Sequence, residues 1–224
     1  MIGIKIGSYR LTGLAAAAAL GVFLALVVAL ILYSRPTLAS WPLWVSFGLW
    51  IVFIGYWSVA AQDVAATKSS EPMESRRLHQ RLLNVAFILL LIPIPGLTGR
   101  FLPTARYWVG IGLVVQALSL LFAIWARRHL GRNWSGAITE AEDHQLVRTG
   151  PYRRIRHPIY SAMLGMFVGT ALVWGQLHAL IAVLILAAAY SRKIRLEEQN
   201  LREIFGAAYE DYRLESWALV PGLL

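Results

Sequence analysis

Long apolar runs recur along the 224-residue chain, and they constrain its fold more than any other feature. Several of these runs approach the roughly 20 residues that an α-helix needs to cross a bilayer. The chain is 58% hydrophobic and only 15% charged, whereas average globular proteins have about 45–50% apolar and about 25% charged residues. The sequence therefore predicts an all-α, polytopic integral membrane protein that forms one membrane domain, residues 1–224.

Six hydrophobic helices are expected from the positions of the apolar runs. The third run contains Pro93, Pro95 and Gly96, and its helix should break or kink there because proline removes a backbone donor. The last two runs are separated by a few residues around Gln176, so they should form an antiparallel hairpin. The first part of the domain, 1–127, contains the predicted helices 11–33, 42–62, 82–98 and 107–127. The second part, 128–224, contains a loop, the predicted helices 158–175 and 178–196, and a tail.

The distribution of positive charge indicates how these helices are oriented. With six spans, 18 of the 21 Lys and Arg residues fall on one side of the membrane, and only Arg35, Arg100 and Arg106 fall on the other. Such an excess is typical of the cytoplasmic side. Both termini are therefore expected in the cytoplasm. The net charge of +9 is explained in this way, and no nucleic-acid partner is predicted. The apolar run Leu11–Leu32 is too long for the core of a signal peptide and is interpreted as the first membrane helix.

Residues able to do chemistry are concentrated in two predicted cytoplasmic pieces, the loop Arg128–His157 and the tail from Arg192 onward. In the loop, the stretch Thr149–Tyr152 is typical of a turn that exposes backbone N–H groups. Pro158 suits the first position of a helix, which makes His157 the N-cap. The chain has no cysteine, so thiolate nucleophiles and cysteine-ligated metals are excluded, and no metal site is predicted.

The helix lengths predict that the two cytoplasmic pieces meet. From Pro158 to Gly175 there are 17 residues, which is about 26 Å at the helical rise. From His178 to Glu197 there are 19 residues, or about 28 Å. An antiparallel hairpin therefore returns Glu197 to nearly the depth of His157. We expect a pocket at the boundary between membrane and cytosol, with the loop as its lid.

The side chains of this pocket suit a nucleoside. Glu197 and Glu198 can accept hydrogen bonds from ribose hydroxyls, an amino group or an adenine N6–H. The rings of Tyr152, Tyr160 and Trp134 provide stacking surfaces that also attract a cation. A nucleoside that carries an amino acid and a sulfonium centre matches this set. A reduced nicotinamide cofactor, whose phosphates would use the arginines, also matches. Composition and spacing leave both ligands open.

Three stretches of the second half resemble the isoprenylcysteine carboxyl methyltransferase family, integral-membrane enzymes related to the phospholipid N-methyltransferases. They are LGRNWS (130–135), EDHQLVRTGPYRRIRHPIYSA (142–162) and KIRLEEQNLREIFGAAYEDY (193–212). The resemblance implies that a methyl group is transferred from S-adenosyl-L-methionine to a lipophilic acceptor. It also implies a cofactor pocket built by the loop and the hairpin, in agreement with the absence of a G-x-G-x-x-G fingerprint.

The resemblance also implies roles for individual residues. Where the family commonly has an arginine four residues before the first glutamate, this chain has Lys193, a point charge without a bidentate fork. Lys193, Arg195 or Arg156 is therefore expected to orient the acceptor, with Glu197 as a further catalytic residue. The predicted cofactor-binding residues are Trp134, His144, Gln145, Leu146, Val147, Thr149, Gly150, Tyr152, His157, Pro158, Tyr160, Glu197 and Glu198.

The acceptor is the least determined part of this prediction. A prenylcysteine-like carboxylate is already ionised near neutral pH, so forming its methyl ester needs no general base. A phospholipid amine or a thiol would instead have to lose a proton, for which Glu197, Glu198 or His157 are candidates. Outside methyl transfer, the alternatives are an NADPH-dependent membrane reductase of the sterol-reductase type and a non-enzymatic lipid-binding protein. The expected partners are membrane lipids and a lipophilic or prenylated substrate from the bilayer, and no oligomeric state is predicted.

Overall fold

The structure is a computed structural model that describes residues 41–60, 68–69, 71–131, 139–140 and 146–222. Helices account for most of these residues, so the predicted α-helical class is confirmed. The helices are α1 (Trp41–Ala60), α2 (Met73–Leu91), α3 (Arg106–Leu130), α4 (Pro158–Trp174), α5 (Leu177–Phe205) and α6 (Ala207–Leu214), and a short 3-10 helix (Gly150–Arg153) precedes α4. Two strands of two residues, β1 (Lys68–Ser69) and β2 (Thr139–Glu140), pair antiparallel.

Among the described residues, three helices are long and apolar enough to cross a membrane, judged by length and composition: α1, α3 and α5. Helix α4 is also apolar but has only 17 residues. These helices confirm an integral membrane protein. The predicted helix at 11–33 lies outside the described residues. The count of six spans and the cytoplasmic placement of both termini therefore stay predictions.

The predicted bounds of the third membrane helix, 82–98, are wrong. Helix α2 begins at Met73 and ends at Leu91, and Ile92 after it is extended, with φ −114° and ψ 116°. An extended residue is expected before Pro93, because proline disfavours the helical conformation of its predecessor. The predicted break at the prolines is therefore confirmed. Sequence reasoning misses the first turns of α2 because their charged, exposed residues have no apolar periodicity.

Helices α3 and α4 cross where small residues let their backbones meet. A Cβ atom on Gly112 of α3 would lie 2.6 Å from the carbonyl oxygen of Gly169, and a Cβ atom on Gly169 would lie 2.6 Å from that of Gly112. A Cβ atom on Gly165, one turn earlier in α4, would collide with the hydroxyl of Ser119. Small residues four apart are typical of close helix pairs in membranes. This crossing fixes α4, and with it the position of His157 at its start.

Helices α4 and α5 form the predicted hairpin. Gly175 ends α4 in the left-handed conformation, with φ +63°, and the extended Gln176 leads directly into α5. The turn is held by the segment after α2, because Phe101 N donates to Gly175 O at 3.1 Å and Leu177 N donates to Gly99 O at 2.8 Å. Helix α5 continues to Phe205, nine residues beyond the predicted end at 196. Its last turns carry the glutamates and basic residues of the predicted site.

The described residues belong to two compact units, of which the first ends at Gln62 and contains α1. In the second unit, which begins at Asp63, α2 packs on α5 and α3 packs on α4. Helix α6 packs against α5 after Gly206, which ends that helix with a positive φ of 52°. All the described site residues lie in the second unit. The predicted single membrane domain stays a prediction.

Candidate functional site

Glu197 lies where the N-terminal end of α4 meets α5. The hydroxyl of Tyr160 donates to Glu197 Oε1 at 2.6 Å, and His157 Nδ1 lies 3.4 Å from Oε2. Both carboxylate oxygens are therefore held by residues from the start of α4. This contact confirms the prediction, made from the helix lengths, that the hairpin brings Glu197 to the depth of His157.

Glu198, the next residue, contacts a different set of cations. Arg156 Nε donates to Glu198 Oε1 at 2.7 Å, and Arg213 Nε lies 3.7 Å from Oε2. The Arg156 guanidinium also donates to the backbone oxygens of Arg213 and Ser216. Arg156 is thus committed to Glu198 and to the C-terminal segment, which leaves it poorly placed to orient an acceptor.

His157 is buried between the two carboxylates and is only 8% exposed. Burial alone would lower the pKa of His157, but the hydrogen bonds and charges of Glu197 and Glu198 outweigh burial and raise this pKa. His157 Nε2 lies 3.5 Å from Glu198 Oε1, close enough for an ion pair, but it makes no hydrogen bond within the described residues. Nε2 is therefore a buried donor that can bind a ligand.

Stacked rings extend from this cluster along the hairpin. The rings of His157 and Tyr160 are parallel within 9° at 5.6 Å, and Tyr160 stacks on Tyr190 at 4.5 Å. Next to Tyr190, the ring of His79 lies at 6.0 Å. Aromatic faces attract a cation electrostatically. Sequence reasoning misses Tyr190 and His79, although Tyr190 lies seven residues before Glu197, a spacing that puts both on one helix face.

The predicted turn at Thr149–Tyr152 is confirmed, with Tyr152 N donating to Thr149 O at 3.1 Å. Gly150 has a φ of +57°, and a Cβ atom there would lie 2.6 Å from the ring of His129. His129 also contacts Thr149 Oγ1 through Nε2 at 2.8 Å. Burial raises the pKa of the Tyr152 hydroxyl, which stays neutral, and in the described part of the chain that hydroxyl has no hydrogen-bond partner. The turn therefore presents a second buried donor.

The segment after α6 holds the start of α4 in place. Arg156 N donates to Trp217 O at 2.8 Å, His157 N donates to Ala218 O at 3.0 Å, and Trp217 N donates to Arg154 O at 2.9 Å. These bonds satisfy backbone groups that would otherwise be unpaired before a helix. Sequence reasoning misses this segment, because a few extended residues near the end of a chain leave no periodic signal.

Lys193 is buried, at 3% exposure, and is already paired. Its Nζ donates to Glu71 Oε2 at 2.6 Å. Glu71 Oε1 accepts from the hydroxyl of Ser75 at 2.7 Å, and that hydroxyl in turn accepts from Arg192 Nη2 at 2.8 Å. Burial alone would raise the pKa of Glu71, but the hydrogen bonds from Lys193 and Ser75 and the charge of Lys193 lower this pKa. Glu71 is another site residue that sequence reasoning misses.

The remaining predicted site residues are dispersed. Arg195 is exposed on α5, Pro158 is buried as the first residue of α4, and Leu146 and Val147 are half-buried before the turn. Their functional roles stay predictions. Three of the predicted cofactor-binding residues lie outside the described residues: Trp134, His144 and Gln145.

The model of the family described as phospholipid methyltransferase matches residues 105–208. A probable protein-S-isoprenylcysteine O-methyltransferase of Oryza sativa subsp. indica is 35% identical over 103 residues, which are 46% of this chain and 51% of that protein. The protein-S-isoprenylcysteine O-methyltransferase of Dictyostelium discoideum is 28% identical over 160 residues, 65% of this chain and 63% of that protein. The chain thus spans about half the length of the rice relative that it matches.

A solved structure, that of the eukaryotic intramembrane Ras methyltransferase ICMT (isoprenylcysteine carboxyl methyltransferase), has a TM-score of 0.52 to this chain at 20% identity. The likeness covers 89% of this chain and 74% of that one. At this identity the likeness shows a shared fold alone. The sequence matches show that part of this chain is similar to phospholipid methyltransferases and to protein-S-isoprenylcysteine O-methyltransferases.

The relatives are named as methyltransferases, and the described residues of this chain fit a cationic methyl donor that carries a nucleoside. The stacked rings of Tyr160 and Tyr190 are surfaces of the kind that attract a cation, and Glu197 lies beside Tyr160 as an anion. Among the described residues, His157 Nε2 and the Tyr152 hydroxyl are buried and make no hydrogen bond, although Nε2 lies 3.5 Å from Glu198 Oε1. Buried polar groups are normally hydrogen-bonded, so these two are suited to a ligand.

Proposed function

We propose that this protein transfers a methyl group from S-adenosyl-L-methionine to the carboxylate of a prenylcysteine-like acceptor, giving a methyl ester at the boundary between membrane and cytosol. One observation carries the proposal: Glu197 is held by Tyr160 and His157, whose rings stack at the end of an apolar hairpin. This arrangement joins an anion and aromatic rings, which suit a sulfonium, to an apolar hairpin, which suits a prenyl chain. The similarity of the chain to protein-S-isoprenylcysteine O-methyltransferases supports the same reaction.

In this proposal, some of the described residues accept hydrogen bonds from the methyl donor and others donate hydrogen bonds to it. Glu197 would accept from the hydroxyl or amino groups of the donor, while His157 Nε2 and the Tyr152 hydroxyl would donate to it. When bound, the methyl donor supplies an electrophilic methyl carbon, so that a C–O bond to the acceptor forms, the C–S bond breaks and its electron pair stays on sulfur as a neutral thioether. Glu198 binds Arg156, and the backbone of Arg156 and His157 is hydrogen-bonded to the segment after α6. Glu198 therefore positions His157 indirectly.

The contribution of the chain to the rate would be orientation and desolvation. A carboxylate acceptor needs no general base, and holding two reactants in line is worth roughly 7–11 kcal/mol in favourable cases. The fixed pairing of Tyr160, His157 and Glu197 supports such a role, because each member restricts the others. The exposed Thr149 leaves the turn accessible to water, which suits a water-soluble cofactor, whereas the acceptor would enter from lipid.

The experiment that tests this function uses the full chain in lipid nanodiscs with methyl-labelled S-adenosyl-L-methionine. The acceptor is an S-farnesylcysteine derivative with a free carboxylate, and its preformed methyl ester is the control. We expect the free acid to take up label that mild base then releases as methanol. The preformed ester should take up no label. The proposal fails if the protein binds S-adenosylhomocysteine but labels no carboxylate.

A phospholipid amine is the second candidate acceptor, because the matching family model is that of the phospholipid methyltransferases. The same assay distinguishes it, since a methylated amine is stable to mild base and is recovered with the lipid. Replacing S-adenosyl-L-methionine by NADPH tests the reductase alternative in parallel. Binding of S-adenosylhomocysteine without binding of NADPH supports the methyltransferase.

A further inference from the structure

A buried ion pair joins α5 to the segment before α2. The side chains of Lys193 and Glu71 are only 4% and 1% exposed, and their charged atoms are 2.6 Å apart. Taking two charges out of water costs several kcal/mol per ion, and an isolated buried pair is weak evidence for stability. The pair therefore invites a functional explanation.

This pair lies beside the proposed methyl-donor site. Lys193 precedes Glu197 by four residues, so both side chains share one face of α5. Three residues before Lys193, Tyr190 stacks on Tyr160, whose hydroxyl donates to Glu197. A carboxylate bound at Lys193 is thus next to the atoms that would hold the methyl donor.

Arg192 adds a second positive charge next to Ser75, which contacts Glu71. Its Nη2 donates to Ser75 Oγ, which itself donates to Glu71. Its Nη1 is buried and makes no hydrogen bond to any residue that the structure describes. The ammonium of Lys193 and the hydroxyl of Ser75 therefore hold the Glu71 carboxylate, the Arg192 guanidinium holds that hydroxyl, and such donors suit any carboxylate.

Glu71 is placed so that it can leave. It lies at a bend, outside any helix or strand, and the exposed Pro72 separates it from the start of α2 at Met73. Among the described residues, no backbone hydrogen bond of a helix involves Glu71. By contrast, Lys193 and Arg192 are fixed within the 29-residue α5.

We propose that Glu71 is a competitor of the acceptor carboxylate supplied by the chain itself: it pairs with Lys193 and Ser75 until the acceptor displaces it from the subsite that these two residues form. This inference rests on the proposed function and deepens it by naming what binds the acceptor and what neutralises the subsite between turnovers. The free acceptor competes with Glu71 through its negative charge, whereas the methyl ester has none. Glu71 therefore returns after methyl transfer and favours release of the product.

The test is the Glu71→Gln variant of the full chain in nanodiscs. Glutamine keeps the size and one acceptor oxygen but loses the charge that competes with the acceptor. We expect the KM for the S-farnesylcysteine acceptor to fall about tenfold, the size of change expected when one charge-assisted hydrogen bond no longer competes. Inhibition by the methyl ester should become stronger, because nothing expels the product. The matched control is Glu74→Gln, an exposed glutamate three residues further on, which should leave both quantities unchanged.

The outcomes separate this inference from the function on which it rests. If the wild-type protein forms ester and the folded Glu71→Gln variant has an unchanged or raised KM, the displacement is wrong and the function stands. If the wild-type protein forms no ester although it binds S-adenosylhomocysteine, the proposed function fails and the inference fails with it.

A second measurement covers the case in which Glu71→Gln does not fold. Because the chain has no cysteine, Met73→Cys gives a single thiol for an environment-sensitive fluorophore. Met73 is 63% exposed and lies two residues after Glu71. The acceptor acid should change the fluorescence, and the methyl ester at the same concentration should not. Equal responses to acid and ester, or no response to either, would overturn the displacement of Glu71.

Discussion

The consecutive glutamates Glu197 and Glu198 contact different partners at the site. Adjacent residues on a helix point about 100° apart, so Glu197 contacts Tyr160 and His157 while Glu198 contacts Arg156. Glu197 thus belongs to the stacked rings that suit a cationic donor. Glu198 belongs to the ion pairs that hold the C-terminal segment. Their substitution should therefore have different consequences.

Glu197→Gln should reduce the affinity for S-adenosylhomocysteine at least about tenfold, because an amide replaces a charged acceptor in a nearly buried site. Titration calorimetry of the purified variant measures this affinity. Glu203→Gln is the control, since Glu203 is an exposed glutamate on the same helix. An unchanged affinity in a folded Glu197→Gln protein would remove Glu197 from the binding site.

The stability of the ligand-free protein should decrease as the pH rises, because the neighbouring glutamates raise the pKa of His157 in the folded state. A raised folded-state pKa gives a stabilisation that is fully present below the unfolded value of about 6.5 and is lost as the pH passes through the folded value. Thermal unfolding between about pH 6 and 9 measures this loss. His157→Gln should show a flatter profile over the same interval, and identical profiles would contradict the assignment.

The meeting of His157 and Glu197 is predictable from the sequence, because it needs only the helical rise and one short turn. Glu71 is not predictable in this way. It lies in a charged loop, where an acidic residue is usually solvated, and only the folded chain places it against Lys193. Tyr190 is hidden for the opposite reason, since a tyrosine within an apolar helix resembles any other residue of its core.

Among the structural elements, the turn before α4 depends on one glycine. Gly150 and Gly131 both have positive φ values, 57° and 53°, but only a Cβ atom on Gly150 meets a neighbour, the ring of His129 at 2.6 Å. Gly131 has open space around it. Substituting each glycine in turn therefore distinguishes the effect of backbone strain from the effect of displacing the turn.

Gly150→Ala should weaken binding of S-adenosylhomocysteine and destabilise the protein, because the new methyl group pushes the turn away from His129. Gly131→Ala should cost only backbone strain, because Gly131 has φ 53° and ψ −128°; such strain is about 1–3 kcal/mol, and the affinity should be unchanged. Calorimetry and thermal unfolding measure both quantities. Equal losses of affinity in the two variants would mean that the contact with His129 does not position the turn.

The crossing of α3 and α4 gives a second prediction for the elements. Gly169→Leu should lower the unfolding free energy by at least about 1–3 kcal/mol, the usual cost of overpacking, because its side chain would enter the backbone of α3. Thermal unfolding in detergent measures this. Gly110→Leu is the control, since Gly110 is exposed on α3 and has open space around it. A Gly169→Leu protein as stable as the control would contradict the close crossing.

The bounds of the helices are predictable where the chain carries its own stop signals. Pro93 and Gly175 mark the observed ends of α2 and α4 closely. The start of α2 and the end of α5 are not predictable from apolar periodicity, because charged turns continue both helices beyond their apolar parts. Tertiary contacts such as that of Tyr160 with Glu197 hold the part of α5 beyond its apolar run.

For the whole molecule, the two ends of the hairpin differ in chemistry. The end at His157 carries the ion pairs and stacked rings of the candidate site. The end at Gly175 is held by the backbone and by Arg100, whose Nη1 donates to Trp174 O at 3.5 Å. Arg100 is also one of three basic residues predicted on the side opposite the cytoplasm. This polarity is what the proposed methyl transfer from a cytosolic cofactor to a lipid-borne acceptor requires.

The orientation in the membrane is testable with single cysteines, because the chain contains none of its own. Thr104 and Asp211 are both exposed, and the six-span prediction puts them on opposite sides. In intact cells, a membrane-impermeant thiol reagent should label Thr104→Cys and should label Asp211→Cys only after permeabilisation. Both variants must first bind S-adenosylhomocysteine like the wild type, which establishes that they are folded. Labelling of Asp211→Cys in intact cells would place α6 and the neighbouring glutamates outside, where the cytosolic cofactor has no access, and would contradict the predicted topology.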